Sequence, residues 1–290
     1  MNNTKVAIVI TDKRPAKEYF ELKDGLLESL NLFKKNIEVE VFAFTEQMNT
    51  LVTDKYNISF RNTLKALDFA INKRFEPDVV IAVGDPNFNY SRIFTDKYKK
   101  KILIHKGNSY PKEVESYFDN IIVETQKEEE KYKNSIVKSV VNTKLFNPKN
   151  SEKYFTVCYP QNISDEKKDF FEKVRVYGSI SQYLDSTVRL PLNSSELLST
   201  IINQSKLVSL LEDTNSVEYA LSALACNTPV LTTNDTKAAN LPPVLTSNVT
   251  TPEFINKTYT ALNLRYNYFE EYIKPNYSPD KYSKMLMELI

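Results

Sequence analysis

The chain has 290 residues, of which 41% are hydrophobic, with four Gly, two Cys, one His and no Trp. A formal net charge of +1, from 38 Lys and Arg against 37 Asp and Glu, excludes the strongly basic footprint of a typical nucleic-acid-binding domain. So few glycines argue against a glycine-rich phosphate loop, and two Cys with one His exclude a classical zinc site, so no metal is expected.

The length suits two domains of ordinary size, and 18 Tyr with 16 Phe supply the bulky packing. The start, MNNTKVAIVITDKRP, lacks the long apolar segment of a signal peptide, and no run approaches the roughly 18 apolar residues that span a bilayer. A soluble, cytoplasmic protein is expected. Cys158 (FTVCYP) and Cys226 (ALACNT) read as buried free thiols of a reducing compartment. The richness in Lys, Asn, Ile and Tyr follows A/T-rich codons and fits a low-GC bacterium or its phages.

Lys5–Ile10 (KVAIVI) is a short β-branched run and reads as a buried strand. A helix is expected over Ala16–Leu32 and a strand over Val39–Phe44. Thr63–Lys73 reads as a helix, with Leu64, Leu67, Phe69 and Ile71 on its apolar faces. Asp78–Val83, Lys101–His105 and Asn120–Glu124 read as further strands, with a helix over Gln126–Tyr132 and a weaker strand over Ile136–Val141. This alternation implies a parallel, doubly wound sheet. The polar segment VVNTKLFNPKNSEK reads as a linker to a second copy of the pattern.

The second copy opens with the strand Tyr154–Tyr159. A helix over Asp165–Val174, a short strand over Arg175–Tyr177 and a helix over Ser194–Asn203 follow, Ser194 or Ser195 being its cap. Lys206–Leu211 is a strand, Val217–Ala225 a helix, and Asn227-Thr228-Pro229 a tight return into the strand Val230–Thr232. After a Pro-rich loop at Leu241–Val244, the last fifty or so residues read as two helices, with Pro275 and Pro279 bracketing the break. The expected fold class is α/β, two Rossmann-like domains with a cleft between them.

Open α/β sheets bind ligands at the C-terminal ends of their strands. His105, the only histidine, ends the strand KILIH there. An imidazole at that edge can hydrogen-bond a ligand hydroxyl and titrates near neutrality, although a lone His is commonly structural. Asp85, in the turn Gly84-Asp85-Pro86-Asn87, is a carboxylate at the same edge. In the second half, the strand ending at Leu211 delivers Glu212 to Ser216 to the edge. The helix behind it points its N-terminal amides at the same place, a favourable site for a diphosphate. Asn215 and Ser216 can donate to phosphate oxygens, or one of them simply caps the helix.

Three segments, KKILIHKGNSYP, VVNTKLFNP and SVEYALSALACNTPVLTTND, together resemble the retaining nucleotide-sugar glycosyltransferases of the GT-B fold. In that group an N-domain strand ends in His. The linker reads like N-G-V-D-x-x-x-F-x-P, which Val140–Pro148 matches with Thr143, Phe146 and Pro148 in register. A C-domain helix reads like L-E-A-M-A-C-G-T-P-V, which Leu221–Val230 matches as LSALACNTPV. The resemblance implies residues 1–149 as an acceptor-side Rossmann-like domain. Residues 150–290 would bind the nucleotide-sugar, with the final helix crossing back to the first domain. It also implies no tightly bound cofactor, a UDP-sugar as co-substrate, no metal, and retention of configuration.

The chain departs from the group in particular residues. The two glutamates that the group places eight positions apart fall at Thr214 and Ser222. Glu218, one turn before Ser222, is a displaced substitute for the donor ribose or an ordinary exposed helix residue. Asn227 replaces a Gly, and Asn is the second-best residue for a left-handed cap. Leaving-group charge calls for cations. Lys167, Lys168 and Arg189 are the candidates, and solvated lysines are the plain alternative. Asp12, Lys13, Arg14, Lys106 and Asn108 are candidates for the acceptor side or members of solvated loops.

The acceptor is a glycan precursor or a hydroxymethylated DNA base, the latter fitting a phage-encoded DNA-modification enzyme. For DNA, Lys97, Lys99, Lys100, Lys101, Lys106 and Lys112 with Tyr98 and Tyr110 would meet phosphates; an ordinary charged edge looks the same. The loss of both glutamates keeps a degenerate, non-catalytic nucleotide- or sugar-binding protein as the alternative. An epimerase of the same fold would need more acid and base groups than one His supplies.

Overall fold

The computed structural model describes residues 4–11, 26–33, 37–44, 58–84, 88–94, 96–105, 112–124, 129–160, 164–167, 169, 187–190, 195–213, 216–248 and 251–290. Two compact units hold them. One contains residues 27–139 with the first strand and Tyr282–Ile290, and the other contains Val140–Lys281.

The first unit is built on strands β1 (Lys5–Ile10), β2 (Glu38–Phe44), β3 (Ile58–Arg61), β4 (Val79–Gly84), β5 (Lys100–His105), β6 (Asn120–Val123) and β7 (Ser135–Val137). They form one parallel sheet in the order β3-β2-β1-β4-β5-β6-β7. The central strands are buried along nearly their whole length, which is why their sequences are unbroken apolar runs. Helix α1 (Leu26–Phe33) keeps the end of the helix expected over 16–32, whose earlier residues lie outside the described ones. Helix α2 (Leu64–Phe69) is capped by Thr63, whose Oγ1 accepts the Ala66 amide at 3.2 Å. It runs on as a π-helical turn, Ala70–Phe75, and stops where Glu76 turns left-handed at φ 52°. In the absence of Trp, edge-on contacts of Tyr90 with Phe88 and Phe118 fill the core.

Two expectations change here. Of the helix expected over Gln126–Tyr132, residues 126–128 lie outside the described ones; residue 129 is helical and residues 130–134 are turns and a bend, so the helix ends before Tyr132, and Asn134 at φ 56° precedes β7. Strand β7 is also shorter than expected. Lys138 gives its amide to Val123 O, and Val141 gives its own to Tyr277 O, so the chain has left the sheet.

The second unit has strands β8 (Phe155–Pro160), β9 (Thr187–Leu190), β10 (Ser205–Leu210), β11 (Val230–Thr233) and β12 (Leu245–Ser247). They too are parallel, in the order β12-β11-β10-β8-β9. Helices α3 (Ser195–Asn203) and α4 (Ser216–Ala225) cover the sheet. Of the helix expected over 165–174 only 165–167 and 169 are described, and the strand expected over 175–177 lies outside the described residues. The tail holds α5 (Thr251–Asn263), a π-helical turn Phe269–Ile273 continuing into α6 (Lys274–Tyr277), and α7 (Pro279–Leu289). Two helices were expected. Pro275 sits in the first turn of α6, where its missing amide is tolerated, and the break falls at Ser278, extended at ψ 154°.

The segment after Val140 packs with this second unit. Phe146 is fully buried in its core. Asn203, 2% exposed, accepts the Lys149 amide at 2.8 Å and donates to Asn147 O and Ser199 O. Cys158 and Cys226 are buried free thiols. Among the described residues, no helix is long and apolar enough to cross a membrane.

Candidate functional site

In each sheet the strand order reverses direction at one place, between β1 and β4 in the first unit and between β8 and β10 in the second. Ligands of open α/β sheets bind beyond the C-terminal strand ends near such points.

At that edge of the first unit, β1 is followed by Thr11, fully buried. Its amide donates to Val83 O at 2.8 Å, and its hydroxyl lies 3.1 Å from the Tyr90 hydroxyl. Neighbouring β4 ends in Gly84 at φ 130°, a backbone angle that favours glycine. His105 pairs in register with Gly84. The ring is 2% exposed, and its Nε2 lies 3.3 Å from the Tyr132 hydroxyl. The sequence reading placed His105 at this edge but missed Tyr132, which belonged there to an expected helix. Asp12, Lys13, Arg14, Asp85, Lys106 and Asn108 lie outside the described residues.

Of the lysine-rich patch, Lys106 and Tyr110 lie outside the described residues. Strand β5 enters at Lys100 and leaves at His105, so Lys97–Lys101 sit at the opposite edge, about 17 Å away at 3.3 Å per residue. Lys99 is paired with Asp78 at 2.7 Å and Lys101 with Asp96 at 3.5 Å. Tyr98 is buried, its hydroxyl donating to Asn72 and Ile93 O, so it offers no ring to a base.

In the second unit, Ser164 follows β8 and gives its amide to Glu212 Oε1 at 2.7 Å, tying the loop after β8 to the end of β10. Asp213 Oδ1 accepts the Ser216 hydroxyl at 3.0 Å and the Lys237 amide at 2.5 Å. The Ser216 oxygen in turn accepts the Ala238 amide at 3.2 Å. Ser216 is 1% exposed, and its only hydroxyl proton goes to Asp213. Its expected donation to phosphate therefore gives way to a structural role, binding the start of α4 to the 3-10 turn Lys237–Asn240. The signal in the sequence was Asp213, three residues ahead of Ser216.

Helix α4 is buried at every residue except Glu218. Ser222, aligned with a glutamate of the resembled group, is fully buried, whereas Glu218 is not. Lys167 lies at the same edge. Arg189 is a residue of β9, paired in register with Tyr159, not a residue beyond the strand. Lys168, Thr214 and Asn215 lie outside the described residues. Among the described residues no group of His, Cys, Asp and Glu is arranged to hold a metal ion.

No protein-family model matches the sequence, and neither does any curated protein. Solved structures do match, along the whole chain. HepE of Anabaena, in complex with UDP and glucose, superposes with a TM-score of 0.68 at 11% identity, over 98% of this chain and 98% of that one. The sucrose-phosphate synthase of Thermosynechococcus elongatus gives 0.64 at 11% identity, over 99% and 98%. The UDP-GlcNAc 2-epimerase of Neisseria meningitidis, bound to UDP-GlcNAc, gives 0.62 at 14% identity, over 99% of each chain. The fold is GT-B, two Rossmann-like parallel-sheet domains, as the sequence resemblance implied.

Proposed function

We propose that the chain is a glycosyltransferase that moves a sugar from a nucleoside-diphosphate sugar, a UDP-sugar first, to an acceptor. The observation that carries this reading is the accessible Glu218 in the first turn of an otherwise buried α4, on a fold matched end to end by a structure holding UDP and glucose. The fold alone is shared by transferases and epimerases. The single histidine favours transfer, because epimerisation needs several acid and base groups around the sugar.

In this reading the second domain binds the donor. The amides at the start of α4, including those near Thr214 and Asn215, meet the diphosphate. Lys167, with Lys168 and Arg189 as further cations, offsets the charge that develops on the leaving group. Glu218 accepts hydrogen bonds from the ribose. The first domain binds the acceptor, with Asp12, Lys13, Arg14, Lys106 and Asn108 as its contacts. His105 and Asp85 orient the reacting sugar. Catalysis comes from positioning and leaving-group stabilisation, and the configuration at the sugar carbon is retained.

A thermal-shift panel of UDP-, GDP-, ADP- and TDP-sugars tests the reading. A ligand at about 100 times its Kd adds roughly 2.7 kcal/mol to the native state and raises Tm by several degrees. A shift with one nucleotide leads to turnover assays with glycan precursors and hydroxymethylated DNA as acceptors. Binding without turnover on either acceptor class would favour the degenerate, non-catalytic alternative. No shift with any nucleotide in a folded sample would sink the donor site.

A further inference from the structure

We propose that Glu212 is the positioning residue for Lys167, holding the loop after β8 so that the ammonium meets the phosphates of the donor. The inference rests on the transferase reading for the ligand it names and on the geometry alone for the tie. Strands β8 and β10 are parallel neighbours, with Leu207 opposite Val157 and Val208 opposite Cys158. Their chains therefore leave the sheet side by side at its C-terminal edge. Leu211, 1% exposed, follows β10, and Glu212 comes next at the rim. Two consecutive carboxylates stand there and serve different loops. Asp213 takes the Ser216 hydroxyl and the Lys237 amide on the α4 side. Glu212 takes the Ser164 amide at 2.7 Å on the β8 side, across 48 residues of chain.

That bond fixes where the next turn begins. Ser164 precedes the helical residues 165–167, and its Oγ accepts the Lys167 amide at 3.4 Å, a capping contact. Ser164 is thus held twice: its own amide donates to Glu212, and its hydroxyl oxygen caps the turn. An amide that donates to an ionised carboxylate makes a shorter and stronger bond than one that donates to a neutral oxygen. Ser164, Asp165, Glu166 and Asp169 are exposed, whereas Lys167 is half-buried. A half-buried lysine lays its stem along the protein and keeps its ammonium in water. The place of that ammonium therefore follows from where the turn starts. Glu212 touches no ligand in this scheme; its carboxylate engages the protein, and the cation it positions meets the phosphates.

Free UDP carries the charge that the leaving group acquires, so its Kd, measured by titration calorimetry, reads the Lys167 contact without turnover. Glu212→Ala is expected to weaken UDP about ten-fold, the size of one lost charge contact. Glu212→Gln keeps an oxygen that accepts from Ser164 and is expected to cost less than about three-fold. In a Lys167→Met background, Glu212→Ala is expected to change the Kd by less than about two-fold, since it acts only through Lys167. Amide hydrogen exchange read by NMR needs no ligand. The Ser164 and Lys167 amides should exchange on the order of ten times faster in Glu212→Ala and recover most of their protection in Glu212→Gln. Unchanged exchange in folded Glu212→Ala overturns the tie. Faster exchange with an unchanged Kd, or an equal loss in the Lys167→Met background, overturns the positioning of Lys167. A wild type that binds no UDP sinks the transferase reading and the ligand part of this proposal, while exchange still decides the tie.

Discussion

Asn227 Oδ1 accepts the backbone amide of Phe269 at 2.8 Å, across 42 residues of chain. Asn227 is left-handed at φ 55° and closes α4 in a Schellman arrangement, with Thr228 N–H on Ala223 O and Asn227 N–H on Leu224 O. Its side chain thus does something a glycine cannot, which is to fix the start of the π-helical turn Phe269–Ile273. Asn227→Gly keeps the turn and loses the side-chain bond, for a cost of about 1 kcal/mol. Asn227→Ala adds the left-handed penalty, for about 2 to 3 kcal/mol in all. Urea unfolding should rank wild type above Gly above Ala; a Gly variant as stable as wild type would show that the bond to Phe269 contributes nothing.

Asn203 is the second such anchor. One amide side chain meets the Lys149 N–H, Asn147 O, Ser199 O and the Cys226 sulfur. Asn203→Ala leaves these groups without that partner and is expected to cost about 3 kcal/mol. The measurement is the urea midpoint, and a loss under 1 kcal/mol would mean that water replaces the side chain.

These two residues show what the sequence could and could not reveal. The left-handed cap at Asn227 was legible because it follows from local backbone chemistry. The bonds of Asn227 to Phe269 and of Asn203 to Lys149 were not, because their partners are distant in sequence. The same division holds for strands. The runs KVAIVI, DVVIAV and KILIH are central strands, buried on both faces, and their composition announces them. The missed strands β3, β9 and β12 are all sheet edges, short and partly polar. The placement of His105 at a strand end and of Glu218 in a helix's first turn was legible in the sequence. Tyr132 and Glu212 were not, since their contacts depend on which loops the sheet order brings together.

Asp78 gives a pH signature. Its carboxylate accepts the Lys5 amide at 3.0 Å and pairs with Lys99 at 2.7 Å, clamping the entries of β1, β4 and β5. The backbone bond from Lys5 first, then Lys99, holds its pKa below the ordinary carboxylate value. A depressed acid stabilises the fold fully above the unfolded value near 4, and that contribution disappears as pH falls through the lower folded value. Asp78→Asn should therefore cost about 1 kcal/mol at pH 7, the pair being partly exposed. The difference from wild type should close below pH 3, and a difference that stays constant from pH 7 to pH 2 would rule out the charge as its source.

The thiols offer a probe of opening. Burial pushes both Cys158 and Cys226 up to about 12, and neither is more than 3% exposed. Reaction requires the thiolate. Both should resist an aromatic disulfide reagent at pH 8 in the native state and react fully once unfolded. Rapid labelling of either in native protein would mean that the second unit opens locally.

Helix α4 allows the proposed donor contact to be separated from the core beneath it. Glu218 is its one residue that is not buried, whereas Ser222 is fully buried and its hydroxyl has no partner among the described residues. Ser222→Ala removes an unsatisfied polar group from a helix and should stabilise by about 1 kcal/mol. Ser222→Glu forces a carboxylate into that core and should cost about 3 kcal/mol or more. Glu218→Gln, by contrast, should leave the urea midpoint unchanged and weaken UDP-sugar binding by roughly ten-fold, as one charge-assisted bond is lost. If Ser222→Glu folded normally and bound the donor more tightly, the ribose contact would belong to position 222. The displaced role given to Glu218 would then be wrong.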